Sequence, residues 1–292
     1  MTTSPQTTAG PGLTESAFAR ISALAKDEAG LVLPMSKRTM VQSRLRHRMT
    51  ALGLTCYDAY AKFVASQDGG DERRHMISAL TTNVSHFFRE NHHFDIFRRE
   101  TLPLLLAKAR AGTPVRIWSA GCSSGQEPYS IAMTIQEAAP ELAALDTLIL
   151  ATDIDPNILE KAEAGQYSDQ QITGIPDALR GKYLTSSVSG HRVNATLKRM
   201  IRFRELNLLQ PWPMRTRFDV IFCRNVVIYF DTETQNTLWP RFDQALVPDG
   251  WFFLGHSERV SDACAARFRS VGMTAYRTPP AATAAQPTRK EA

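Results

Sequence analysis

The sequence has little of what defines several classes of protein. Its 292 residues include only four cysteines. None of them forms a C-x-x-C pair, so neither a disulfide scaffold nor a zinc ribbon is expected. No apolar run approaches the ~18–20 residues of a membrane-spanning helix, and Met1–Pro5 has neither a basic region nor an apolar stretch typical of a secretory signal. These absences favour a cytoplasmic protein with reduced thiols, which are Cys56, Cys122, Cys223 and Cys264.

The composition is that of a globular protein, with 43% hydrophobic and 22% charged residues, and the length suits one large or two modest domains. The net charge of +5 is unevenly distributed. Residues 1–112 contain 15 Lys/Arg and 10 Asp/Glu, whereas residues 113–292 contain 19 of each. The N-terminal excess is typical either of a solvated helical surface or of a docking face for an acidic partner.

The chain divides into segments of different character. Residues 1–12 and about 279–292 are rich in Pro, Thr and Ala, which predicts disordered tails. Residues 13–80 have helical periodicity interrupted by glycines, which predicts a domain of three or four short helices. Residues 81–112 continue as a linker and a helix.

From residue 113 to 278 the pattern alternates between strands and helices. This alternation predicts an α/β domain with a parallel, doubly wound sheet. It is interrupted at about 165–209, where Tyr183–Thr185 and Leu197–Phe203 are candidate strands of a small insertion. The predicted main strands are Val115–Ala120, Thr147–Asp153, Phe218–Cys223 and Gly250–Gly255, and the predicted helices are about Pro128–Ala138, Pro156–Ala164 and Thr232–Leu246.

A glycine loop, Gly121-x-x-x-Gly125, joins the first strand to its helix. Glycines allow a ligand to approach the backbone, and the helix N-terminus offers unpaired N–H groups. Asp153 ends the next strand, where a carboxylate can accept hydrogen bonds from both hydroxyls of a ribose. Asp153 could instead be a turn or N-cap residue, and Glu127 a first-turn acid favoured by the helix dipole. Together these features favour an adenosine-type ligand.

The same loop also satisfies G-x-S-x-G, with Ser123 as a hydrolase nucleophile followed by Asp249 and His256. In that fold several strands precede the nucleophile. Here Val115–Ala120 is the first strand in the chain, which disfavours a hydrolase.

Two further segments combine polar and aromatic residues. Thr81–Glu90 reads TTNVSHFFRE and could cover a cofactor pocket, or could be an interdomain linker. Phe222–Asp231 reads FCRNVVIYFD and follows a strand, where ligands of parallel sheets bind, although capping and a buried tyrosine are the alternative. The neighbouring His92 and His93 would point in different directions on a helix, so no metal site is expected.

In this order, the segments TTNVSHFFRE, RIWSAGCSSGQEPYSIAM, ATDIDPNILEKA, FRELNLL and FDVIFCRNVVIYFD resemble the CheR family of chemotaxis methyltransferases. The resemblance covers about residues 14–277. It implies transfer of a methyl group from S-adenosylmethionine to glutamates of chemoreceptors, with S-adenosylhomocysteine as product. It also implies a Rossmann-like methyltransferase domain with a small inserted antiparallel β-subdomain, preceded by an all-α N-terminal domain. A chemosensory module that binds the cofactor without turnover is the alternative.

The resemblance also assigns residues. It places Arg89 and Tyr229 nearest the methyl transfer, with Arg89 at the carboxylate end of the cofactor. The other cofactor contacts that it implies are Asn83, Ser85, Gly121, Glu127, Asp153, Asn207, Leu208, Arg224 and Asn225.

Substrate docking is expected on a helix at about residues 36–52. Lys37, Arg44 and Arg48 are spaced by seven and four residues, which places them on one helical face. The resemblance implies that this basic face recognises the acidic methylation helices of chemoreceptors, although spacing alone favours a solvated amphipathic helix. Some members of the family are tethered to a receptor C-terminal pentapeptide through a longer, Gly-rich loop of the β-subdomain. The turn at residues 186–192 is short and has a single glycine, so the resemblance implies no such tether here. Neither nucleic-acid binding nor membrane insertion is expected.

Overall fold

In a computed structural model that describes residues 12–188 and 190–280, an all-helical region precedes an α/β region. Most of the two predicted tails lies outside these residues. The strands are β1 Val115–Ala120, β2 Thr147–Asp153, β3 Gln166–Tyr167, β4 Leu184–Ser187, β5 Gly190–Val193, β6 Ile201–Glu205, β7 Phe218–Cys223, β8 Leu246–Leu254, β9 Arg269–Gly272 and β10 Ala275–Arg277. The helices are α1 Glu15–Ala29, α2 Arg38–Ala51, α3 Tyr57–Ala65, α4 Gly70–Leu80, α5 His92–Ile96, α6 Leu102–Arg110, α7 Gln126–Ala138, α8 Pro156–Ala164, α9 Asp177–Tyr183, α10 Ala195–Lys198 and α11 Thr232–Ala245.

The N-terminal domain consists of α1 to α4, in agreement with the prediction of three or four helices. Thr14 caps α1 by accepting a hydrogen bond from the N–H of Ala17, and Gly30 ends the helix in a left-handed conformation. The apolar faces of the four helices meet in one core, which includes Ile21, Leu45, Tyr60 and Met76.

The main sheet has the strand order β6-β2-β1-β7-β8-β10-β9. Its first five strands are parallel, while β10 pairs antiparallel with β8 and β9 with β10. This arrangement confirms the predicted α/β sheet. Parallel strands bring their carboxyl ends to one edge, so the loops after β1, β2 and β7 lie side by side.

The predicted insertion at about 165–209 was too long. The small antiparallel sheet comprises β3, β4 and β5 and ends at Val193. Tyr183 is helical, Leu197 lies in α10, and β6 pairs parallel with β2 at the edge of the main sheet. Alternation of buried Ile201 and Phe203 with exposed arginines identifies β6 as a strand, but periodicity does not determine which sheet it joins.

None of the described helices is both long and apolar enough to cross a bilayer. The four cysteines are free thiols.

Candidate active site

A cleft opens at the carboxyl edge of the main sheet. One wall comes from the loops after β1, β2, β6 and β7, and the other from the N-terminal domain and the segment at residues 81–89. The structure brings every residue predicted to bind cofactor or act in methyl transfer to this cleft, namely Asn83, Ser85, Arg89, Gly121, Glu127, Asp153, Asn207, Leu208, Arg224, Asn225 and Tyr229.

The floor of the cleft requires glycine at position 121. Gly121 has φ +80°, and a Cβ there would lie 2.3 Å from Cγ2 of Val226 in the loop after β7. Any side chain would therefore force the two loops apart, and with glycine the backbone itself lines the cleft.

Asp153 lies at the end of β2 with only 8% of its surface exposed. Its carboxylate accepts hydrogen bonds from the backbone N–H of Ser123 at 2.8 Å and of Asp155 at 3.1 Å. Burial raises the pKa of Asp153 to about 6, although these two N–H groups act in the opposite direction. The two oxygens retain acceptor capacity for ribose hydroxyls.

Arg224 forms the charged centre of the cleft wall. Its guanidinium contacts Glu90 at 3.2 Å and Glu127 at 3.1 Å, and it donates to the carbonyl of Arg89. Burial raises the pKa of Glu127, while Arg224 and the hydroxyl of Ser119 oppose that shift. Burial alone would also raise the pKa of Glu90, but Arg224 and a hydrogen bond from His256 lower it to about 2. The cluster is therefore a buried cation held between two acids.

Sequence reasoning missed Glu90 and Glu258. Glu90 follows Arg89 at the end of the segment TTNVSHFFRE, so the motif could have identified it as a site residue. Its carboxylate also accepts a hydrogen bond from the amide of Asn225 at 3.3 Å. Glu258 lies beyond β8 and binds backbone N–H groups only, a contact for which the sequence gives no pattern.

The two residues expected nearest the methyl group are half-buried. Tyr229 lies in a 3-10 turn, and its backbone carbonyl accepts from the N–H of Val32 at 2.9 Å. Arg89 donates to the carbonyl of Val84 at 3.1 Å. Both side chains reach the cleft, where the helical domain meets the sheet.

Discrete polar contacts join the two walls. Asp155 accepts from the hydroxyl of Ser78 at 2.7 Å and from the amide of Asn83 at 3.0 Å. The amide of Asn207 donates to the carbonyl of Glu28 at 2.6 Å. Asn83 and Asn207 therefore connect the walls as well as lining the cleft.

The geometry does not support the hydrolase alternative. The hydroxyl of Ser123 donates to the carbonyl of Asn83 at 2.9 Å. His256 instead contacts Glu90 and Ser257, and Asp249 pairs with Arg277. Ser123 therefore has no imidazole base among its hydrogen-bond partners in the described part of the chain.

The docking prediction is only partly compatible with the structure. Arg48 pairs with buried Glu72 at 2.5 Å, and Arg44 donates to the backbone carbonyls of Leu80 and Thr81. These contacts join α2 to α4 and its C-terminal end. The sequence could not predict them, because helical spacing shows which residues share a face but not which partners they contact. Lys37 is exposed.

His93 is a fully buried packing residue. Its Nε2 lies 3.1 Å from the carbonyl of Met273 and 2.9 Å from the hydroxyl of Thr274. Burial, with a contribution from Arg224, lowers the pKa of His93 to about 3. In the described residues no cluster of three or more His, Cys, Asp and Glu side chains could hold a metal ion.

The cleft fits a nucleoside cofactor. At Gly121 a ligand can approach the backbone of the glycine loop. The buried carboxylate of Asp153, at the end of β2, suits a ribose, and the apolar side chain of Leu208 suits a base. The fold and this site define a Rossmann-like protein with a cleft for a nucleoside cofactor.

The chain belongs to the CheR methyltransferase family. Residues 16–81 match the family's all-alpha domain, and residues 83–277 match its SAM-binding domain. It is 48% identical over 254 residues to a probable chemotaxis protein methyltransferase of Rhizobium etli, covering 86% of this chain and 95% of that one. It is 40% identical over 271 residues to the chemotaxis protein methyltransferase of Escherichia coli, covering 90% and 91% of the two chains.

Proposed function

We propose that this protein transfers the methyl group of S-adenosylmethionine to glutamate side chains of chemoreceptors in the cytoplasm, forming methyl esters. Its family and the names of its relatives support a chemotaxis methyltransferase. The observation that carries the proposal furthest is the gathering of Arg89 and Tyr229 in one cleft with Gly121 and Asp153.

The reaction needs alignment more than acid–base chemistry. A glutamate side chain has a reference pKa of ~4.3, so it is already a nucleophilic anion at neutral pH. The cofactor supplies an electrophilic methyl group on a sulfonium. Alignment of well-oriented reactants can contribute ~7–11 kcal/mol. This explains why neither a histidine base nor an activated serine is needed.

Arg89 and Tyr229 are proposed to provide that alignment. Arg89 carries a permanent positive charge into the cleft, where it can orient the carboxylate end of the cofactor. The hydroxyl of Tyr229 can donate a hydrogen bond to the incoming glutamate carboxylate. Exclusion of water from the reacting groups would strengthen these contacts.

The proposed partner is an acidic methylation helix of a receptor, drawn to the positive excess of the N-terminal domain. Lys37 is the proposed docking cation, because Arg44 and Arg48 are engaged within the domain. A receptor pentapeptide tether is not proposed, since only two residues connect β4 and β5.

The test is methyl transfer from labelled S-adenosylmethionine to a receptor cytoplasmic fragment. We expect label that is released as methanol by mild base, because glutamate methyl esters are base-labile. S-adenosylhomocysteine binding without transfer would favour the non-catalytic module. Base-stable label would contradict ester formation.

A further inference from the structure

Glu258 is a buried acid that the proposed chemistry does not use. It lies in the turn after β8, and only 3% of its surface is exposed. Among the described residues no cation pairs with it. A buried carboxylate without a cation is costly unless other groups satisfy it, so its partners identify its role.

The partners of Glu258 are backbone N–H groups of the neighbouring loop. Oε2 accepts from Asn225 at 2.8 Å and from Gly255 at 2.6 Å. Oε1 accepts from Val226 at 2.8 Å and from Ile228 at 3.3 Å. Three of these four donors belong to the loop that follows β7, at residues 224–229.

The loop has a shape that needs such support. Asn225 is left-handed, with φ +60°, a conformation that is unfavourable for most L-residues. Gly255 makes room for it, because a Cβ there would lie 2.5 Å from Nδ2 of Asn225 and 2.8 Å from Oε2 of Glu258. The carboxylate, the glycine and the left-handed turn therefore form one packed unit.

This unit sets the position of the cleft wall. Asn225, Val226 and Tyr229 all line the cleft, and Val226 covers Gly121. We propose that Glu258 is a positioning residue that holds the loop at residues 224–229 by its backbone and thereby presents Asn225 to the cofactor. The loop also carries Tyr229, and only for that residue does the proposal rest on the proposed function.

The test is calorimetric titration of S-adenosylhomocysteine into Glu258→Gln. The glutamine amide would direct a donor at the loop N–H groups, leaving at least one of them unpaired. We expect the Kd to rise at least tenfold. Amide hydrogen exchange should also speed up in residues 225–228 and not in β1. A Kd within twofold of the wild-type value in a folded variant would overturn the proposal.

Glu72→Gln is the matched control. Glu72 is equally buried, but it binds Arg48 and Tyr60 in the helical domain, and it does not line the cleft. It should lower the melting temperature while leaving the Kd within twofold. A similar loss of affinity in both variants would mean that Glu258 acts only through global stability, and would also overturn the proposal.

Two further variants keep the inference testable. If Glu258→Gln does not fold, Gly255→Ala tests the same role, because its methyl group would separate the carboxylate of Glu258 from Asn225. An unchanged Kd for S-adenosylhomocysteine in that variant would refute the positioning role. Asn225→Gly keeps the left-handed backbone accessible. Adding Glu258→Gln to it should raise the Kd less than in the wild type, whereas equal effects would show that Glu258 does not act through Asn225.

These binding measurements need no methyl acceptor. An unchanged Kd in the variants therefore removes the positioning role and leaves glutamate methylation open. A wild-type protein that binds S-adenosylhomocysteine but methylates no receptor would instead contradict the proposed function alone.

Discussion

The two walls of the cleft are built differently. The sheet wall presents buried charge: Asp153 and Arg224 are 8% and 6% exposed, and each is fixed by two or more contacts. The helical-domain wall is open, and Val84 is 63% exposed. A preorganised wall suits a cofactor of fixed shape, whereas an accessible wall can admit a protein side chain.

The difference predicts that damage to the sheet wall affects folding and cofactor binding together. Arg224→Ala should show the largest effect, because it leaves Glu90 and Glu127 as buried acids without their common cation. Breaking a buried pair costs about 3–5 kcal/mol. Urea unfolding should show this loss, and calorimetry should show no measurable S-adenosylhomocysteine binding.

Arg110→Ala is the control for that experiment. Arg110 pairs with Glu141 on the surface, where both side chains are more than half exposed. Its urea midpoint should match the wild-type value. If Arg224→Ala were as stable as this variant, the buried charges of the sheet wall would not contribute to the stability of the fold, contrary to the prediction.

The sequence predicted the cleft better than its supports. Asp153 ends a strand and Gly121 and Asn225 follow strands. Because strand ends of a parallel sheet converge, their proximity was predictable. Glu258 holds backbone groups 30 or more positions away, and Arg48 finds its acid on another helix. Such contacts depend on tertiary packing, which no local pattern encodes.

The hydroxyl of Tyr229 should act on turnover and not on cofactor binding, although its loop belongs to the sheet wall. Tyr229→Phe keeps the aromatic packing against the helical domain and removes only the hydroxyl. We expect kcat to fall roughly 100- to 1,000-fold, as for loss of one donor that acts on reacting groups. The Kd for S-adenosylhomocysteine should stay within twofold of the wild-type value. A parallel loss of affinity would mean that the hydroxyl also contributes to cofactor binding.

Asp153 in the sheet wall should also make the cofactor affinity depend on pH. Burial raises the pKa of Asp153 to about 6, so this group is ionised at pH 7.5 and mostly protonated at pH 5. A protonated carboxyl is a poorer acceptor for ribose hydroxyls, so affinity is lost as pH falls. Calorimetry should show a Kd about tenfold higher at pH 5. Asp153→Asn should bind weakly at both pH values, and an equally steep profile in that variant would assign the titration elsewhere.

The smallest effect should come from outside the cleft. Lys37 is exposed on the helical domain, and a single surface charge acts weakly on an acidic partner. Lys37→Glu should slow receptor methylation severalfold at about 50 mM salt and much less at about 500 mM, because salt screens exposed charges. The Kd for S-adenosylhomocysteine should not change. Lys62→Glu, at an exposed position of α3, carries the same charge change. Equal slowing in both variants would mean that the net charge of the domain attracts the receptor, and that Lys37 is not a specific docking cation.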